Sequence, residues 1–90
     1  MMEHLKALED AAKKEPKNWK RWYDLAEFYF VQRDYSLAKV HVVKMLEAMQ
    51  SQQALAPSKH IFPMNRYLPL DFILAVEQEM EEKEEKDRAT

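Results

Sequence analysis

Three features of this 90-residue sequence predict an all-α fold of about four helices. Glycine is absent, the four prolines fall at the ends of apolar-periodic segments or between them, and apolar residues inside those segments recur at the 3.6-residue spacing of a helix face. Without glycine, tight hairpin turns and phosphate-cradling loops lose the residue that gives them positive φ or close backbone approach. All-β folds and nucleotide-loop enzymes are thereby disfavoured. Apolar residues make up 47% and charged residues 33%, which fits a folded chain with solvated helix faces. The length holds one small domain with little core to spare, so each apolar stripe must find a partner.

The first helix is expected over residues 3–15, with Leu5, Leu8 and Ala12 as its stripe, Ala7 and Ala11 beside them, and Pro16 ending it. Asn18 suits the N-cap of a second helix reaching about Gln32, because its side-chain oxygen can accept from a first-turn N–H. Arg33 and Asp34 make the next break. Asp34 is then the N-cap of a third helix from about Tyr35 to Gln53, with Leu37, Ala38, Val42, Met45, Leu46 and Met49 facing inward. Residues 56–69 contain Pro57, Pro63 and Pro69 and read as an ordered connection, packed on the body through Ile61, Phe62 and Tyr67. Pro69 is expected in the first turn of a fourth helix running from Leu70 to about Lys86, striped by Phe72, Ile73, Val76 and Met80. Beyond Met80 no apolar face remains, and a solvated, fraying end is expected.

Charge is uneven along the chain. Residues 1–66 carry 11 basic and 8 acidic side chains, a net of +3, whereas residues 67–90 carry 3 and 8, a net of −5. With no cysteine there is no disulfide framework, thiolate nucleophile or thiolate-ligated metal, and a reducing compartment is permitted. The start of the chain lacks a basic region followed by an apolar run. The longest purely apolar stretches, residues 28–31 and 72–76, are too short to span a bilayer. A soluble cytoplasmic protein without membrane contact is the expectation.

In the second helix Trp22, Leu25, Ala26 and Tyr29 stand at i, i+3, i+4 and i+7, and Tyr35, Ala38, Val42 and Met45 continue the register into the third. This spacing resembles the tetratricopeptide repeat, whose pattern is Trp-x2-Leu-small-x2-Tyr, a short turn, then aromatic-x2-Ala-x3-bulky-x2-Ala. The match covers residues 19–50. Leu8, Ala11 and Pro16 extend it backwards, to about one and a half repeats. Arg33 stands where a turn glycine is usual, Met45 replaces a small residue, and Gln50 replaces the closing proline. The last departure implies that the third helix runs on and that no regular repeat follows. Another helical bundle with an amphipathic hairpin is the alternative.

The resemblance implies antiparallel helix hairpins in a body of residues 1–68. Because no closing proline or further repeat follows and the stripe of residues 69–90 would otherwise be exposed, this C-terminal helix, acidic at its end, is expected to pack back with residues 61–67 as a cap. One and a half repeats bury too little alone, since each repeat contacts only its neighbours. The same apolar stripe could instead mate with a second copy or a partner. By the family's geometry the first helix of a pair lines the binding surface, at Lys20, Tyr23, Asp24, Glu27, Phe30 and Val31. Tyr23 and Phe30 can equally serve as packing under a terminal helix. The lysine and asparagine with which family members clamp a terminal carboxylate have no counterpart, because Tyr23 and Glu27 occupy those positions.

A second cluster, Lys13, Lys14, Lys17, Lys20 and Arg21 around Trp19, Trp22 and Tyr23, combines cations with stacking rings as nucleic-acid binders do. The acidic chain and the structural claim on Trp22 weigh against that use. His4, His41 and His60 have no metal-ligand spacing, and Ser36, Ser51 and Ser58 have no neighbouring base or elbow motif. The expected function is a non-catalytic protein–protein interaction adaptor or chaperone-like subunit, needing no metal or cofactor, whose partner is another protein or a second copy. A helical nucleic-acid binder using the basic cluster is the alternative.

Overall fold

The computed structural model describes residues 2–51 and 67–89, and the described chain is all-helical. Four helices follow one another: α1 (Met2–Lys14), α2 (Trp19–Val31), α3 (Tyr35–Ser51) and α4 (Leu70–Ala89). The residues 56–66 of the expected connection, including Ile61 and Phe62, lie outside the described residues, as do His60, Ser58 and the expected last turn of α3.

The helix boundaries follow from local chemistry. At the start of α2 the Asn18 side chain accepts from the Lys20 backbone N–H at 3.1 Å. Asp34 does the same for α3, accepting from the Leu37 N–H at 3.3 Å. Between them the chain closes α2 with a paired hydrogen-bond motif, in which Arg33 N–H donates to Phe30 O at 3.0 Å and Asp34 N–H to Tyr29 O at 2.9 Å. The motif requires a left-handed residue, and Arg33 takes it with φ 64°. A side chain in that region costs about 1–2 kcal/mol, partly offset by the larger unfolded-state entropy of glycine. Arg33→Gly is therefore expected to stabilise by about 0.5 kcal/mol, seen as a melting temperature about 2–4 °C higher. A lower melting temperature would show that this turn is not left-handed.

The fourth helix starts where expected. Helix α4 begins at Leu70, and the Pro69 carbonyl accepts from the Ile73 N–H at 3.4 Å, so the proline flanks the first turn. The far end of α4 stays helical through Ala89, past the expected Lys86, with residues 81–88 exposed. Pairing such as Gln78 to Glu82 at 3.3 Å supports it along the surface.

Helices α2 and α3 form the main hairpin, α1 packs on α2, and α4 packs on α3. The small residues Ala26 and Ala38 are fully buried. Bulk is absent there, so neighbouring backbones can come close. One apolar cluster joins Tyr23 and Ala26 of α2, Val42, Met45, Leu46 and Met49 of α3, and Leu68, Ile73 and Val76 of the C-terminal segment. The C-terminal helix thus completes the core, as the cap expectation required. Lys39 of α3 pairs with Glu79 of α4 at the rim.

Three packing expectations are corrected. Leu37 is 39% exposed and faces outward, because it falls on the Leu37, Val40, Lys44 row and not on the row of Ala38, Val42 and Met45. Tyr67, expected to pack on the body, is instead 74% exposed, while Ala48, outside the expected inward stripe, is buried. Trp22 is half-buried and not enclosed. Its indole N–H donates to Pro16 O at 2.7 Å, which draws the polar edge of the ring to the surface turn while its body packs on the core.

Candidate functional site

The six residues expected to form a binding surface divide by their position around α2. Lys20, Asp24, Glu27 and Val31 stand at i, i+4, i+7 and i+11 and make one stripe. Tyr23 and Phe30 lie on the adjacent row. That row faces the core: Tyr23 is 2% exposed, and Phe30 packs on the cluster with its ring 5.1 Å from Phe72 of α4. Both therefore take the packing position that the sequence offered beside the binding one, in the core that the C-terminal helix also joins. Tyr35, next to them, packs edge-on against Phe30 at 5.2 Å and is otherwise half in solvent.

The remaining stripe borders a groove. Between α1 and α2 lies a hollow of about 390 Å³, with His4 and Leu8 on the α1 side, Asp24, Glu27, Phe28 and Val31 on the α2 side, and Gln32 closing one end. Three of the six expected residues meet there. Lys20 is not in the lining; it is exposed one turn before Asp24. The His4 ring lies 5.8 Å from that of Phe28, which ties the start of α1 to α2. Glu27 also accepts from the Tyr67 backbone N–H at 2.8 Å, linking the groove wall to the entry of α4. His4, Leu8, Phe28 and Gln32 were not singled out from the sequence as site residues. Leu8 was assigned to the α1 stripe and Phe28 to an apolar run, and only the approach of the two helices makes them a single surface.

Around the basic cluster the side chains are partly engaged by the fold. Arg21 Nε donates to Glu15 Oε2 at 2.8 Å, and this hydrogen bond, reinforced by the guanidinium charge and by Asn18, holds the Glu15 carboxyl below the usual carboxylate range. Trp22 is committed to Pro16, and Trp19 packs on the core with its ring edge-on to Tyr23 at 6.2 Å. A hollow of about 500 Å³ beside these residues is lined only by the consecutive residues 14–18 of one turn. It is a surface depression with a single wall. Another, about 270 Å³, lies between that turn and the end of α3, where Lys17 and Lys44 are accompanied by Glu47.

His41 is a packing histidine. It stacks on Tyr29 at 5.0 Å, and its Nδ1 lies 2.8 Å from Leu37 O, which fits a proton on that nitrogen. Burial pushes the Tyr29 hydroxyl above its ordinary pKa, and the charges of Glu9 and Asp34 add to the shift. On α4 the Glu77 carboxyl is raised chiefly by burial and secondarily by Glu81. Among the described residues no cluster of three or more metal-ligating side chains occurs, and no helix is long and apolar enough to cross a membrane.

Compared with family models, curated proteins and solved structures, the chain matches none.

Proposed function

We propose that this chain is a non-catalytic protein-interaction module, tetratricopeptide-like in its central hairpin, that receives a partner protein in the groove between α1 and α2. The observation that carries the reading is the separation of two faces on one helix. The Tyr23 and Phe30 row of α2 packs into the core cluster that α4 also joins, while the Asp24, Glu27 and Val31 row lines an open groove. A buried apolar row beside a mixed apolar and charged hollow is what an adaptor needs: one face holds the fold and the other remains available. Supporting the family resemblance, Ala26 and Ala38 are buried where the repeat pattern has small residues, and the turn at Arg33 is left-handed where the pattern has glycine. In this reading the chain is an adaptor or chaperone-like subunit of the cytoplasm, a compartment that the cysteine-free sequence permits.

Substitutions in the groove test it. Val31 is 53% exposed, so Val31→Arg is expected to change stability by no more than about 0.5 kcal/mol, as surface replacements do, and the fold of Asp24→Arg, at a half-buried position, is checked by its melting curve. Both are expected to lower the capture of a defined partner, isolated from the native cell with the wild-type chain, by at least about tenfold. Unchanged capture by two folded variants would remove the groove from the account. Alanine at Tyr23 or Phe30 would not be informative here, because loss of binding would follow from loss of the core.

A further inference from the structure

Opposite charges are held at separate places on this fold. The turn between α1 and α2 meets the last turns of α3 in a cleft of about 270 Å³, with Lys17 on one wall, Lys44 on the other, and Pro16 and Trp22 beside them. Lys13, Lys14 and Lys20 flank the same turn. All five lysines are exposed, and among the described residues none of them enters an ion pair. Glu47 is the carboxylate among the described residues of the lining, and Glu15, in the turn, is held by Arg21. The acidic counterpart lies on α4, which runs on past Met80 with residues 81–88 exposed. At about 100° per residue Glu81, Glu84 and Glu85 fall within about a third of the helix circumference, and Lys83 and Lys86 fall on the other side. Arg88 shares the acidic side a turn after Glu84. Among the described residues the three glutamate carboxylates enter no hydrogen bond or ion pair.

The arm of one chain does not meet its own cleft. Glu79, just before the arm, pairs with Lys39 in the second turn of α3. Lys44 lies five residues further and about 140° around that helix, on a side that α4 does not cover. We infer that the cleft takes the acidic arm of a second copy of this chain, with Glu81, Glu84 and Glu85 laid against Lys17 and Lys44 and the flanking lysines as a rim. Two copies that exchange arms about a two-fold axis make this contact twice. The cleft is smaller than the usual ligand pocket of about 300–1,000 Å³, which suits charged side chains of a helix laid across it better than an enclosed small molecule. Nucleic acid would need rings on which bases stack, and here Trp22 is bound to Pro16 while Trp19 packs on the core. Exposed charge pairs are individually weak, so the association is weak and depends on salt. It shares no lining residue with the groove between α1 and α2 and leaves that groove open.

Sedimentation of the full 90-residue chain tests the contact at about 0.01 M and about 1 M salt, between which the screening length falls from about 30 Å to about 3 Å. A dimer is expected at low salt, with association at least about tenfold weaker at high salt. Lys17→Glu/Lys44→Glu and Glu81→Lys/Glu85→Lys change exposed positions, so both chains should stay folded by their melting curves. Each alone is expected to self-associate at least about tenfold more weakly, because its arm and its cleft then carry the same sign. Mixed in equal amounts, the two are expected to recover the wild-type affinity as a heterodimer, since each arm then meets a cleft of opposite sign. A chain that stays monomeric at low salt up to its solubility limit would reject the second copy. Self-association that survives both double substitutions, or that stays lost in the mixture, would reject the contact between arm and cleft. A single-stranded oligonucleotide held through Lys17 and Lys44 by a monomeric chain would give the cleft to nucleic acid instead.

Discussion

Removal of residues 69–90 is expected to abolish cooperative folding, or to leave an aggregating species. Helix α4 contributes Ile73 and Val76 to the central cluster, both essentially without exposure, and packs Phe72 and Met80 against it. Burying each aliphatic side chain of this kind is worth about 1.5–3 kcal/mol. The sum over the helix therefore approaches the whole stability of a small domain, about 5–15 kcal/mol. Truncation would also uncover Tyr23, Phe30, Met45 and Met49, an apolar patch that solubility does not tolerate. Circular dichroism on heating, with sedimentation of the same sample, reads both consequences. A monomer that melts at the wild-type temperature would make α4 an arm for another molecule and exclude its role as a cap.

Leu25→Ala probes a part of the hairpin outside that cluster. Leu25 is 1% exposed yet does not belong to the group of residues that contains Ile73 and Val76. Deleting a fully enclosed leucine side chain costs about 3 kcal/mol, from lost transfer energy and the cavity left behind. For a chain of this size the melting temperature should drop by roughly 12–24 °C. Trp22→Ala is expected to cost a comparable amount through lost packing and the lost bond to Pro16. Lys14→Ala, at an exposed position, should change little. A cooperative transition at unchanged temperature in Leu25→Ala would mean that the register of α2 is wrong.

Much of this fold was legible because its signals are local. Asn18 and Asp34 announce helix starts through side chains that satisfy first-turn donors, and the expected boundaries of α2 and α3 agree with theirs. Helix α3 is described to Ser51, one residue past Gln50, and the rest of the run expected to Gln53 lies outside the described residues. Leu37 was misplaced because consecutive apolar residues at 37 and 38 cannot both face inward, and periodicity over one turn does not choose between them.

Of the candidate surface the sequence places a stripe along α2: Asp24, Glu27 and Val31 border the groove, while Tyr23 and Phe30, for which binding and packing stood equal, lie in the core. Which side of α2 a distant helix covers depends on its docking, a tertiary fact that no local spacing encodes. For the same reason His4 and Leu8 could not be joined to Phe28 before α1 was laid against α2.

Val31 and Val40 offer a matched pair for the most direct test of the claim that partners enter between α1 and α2. The two valines are similarly exposed, at 53% and 49%, but only Val31 lines the groove. A photo-reactive amino acid placed at either position in the full chain, irradiated in the native cell, reads which face meets another protein. The account predicts a discrete protein adduct from position 31, lost when Asp24→Arg is added, and none from position 40. Adducts confined to position 40, or insensitive to Asp24→Arg, would contradict it.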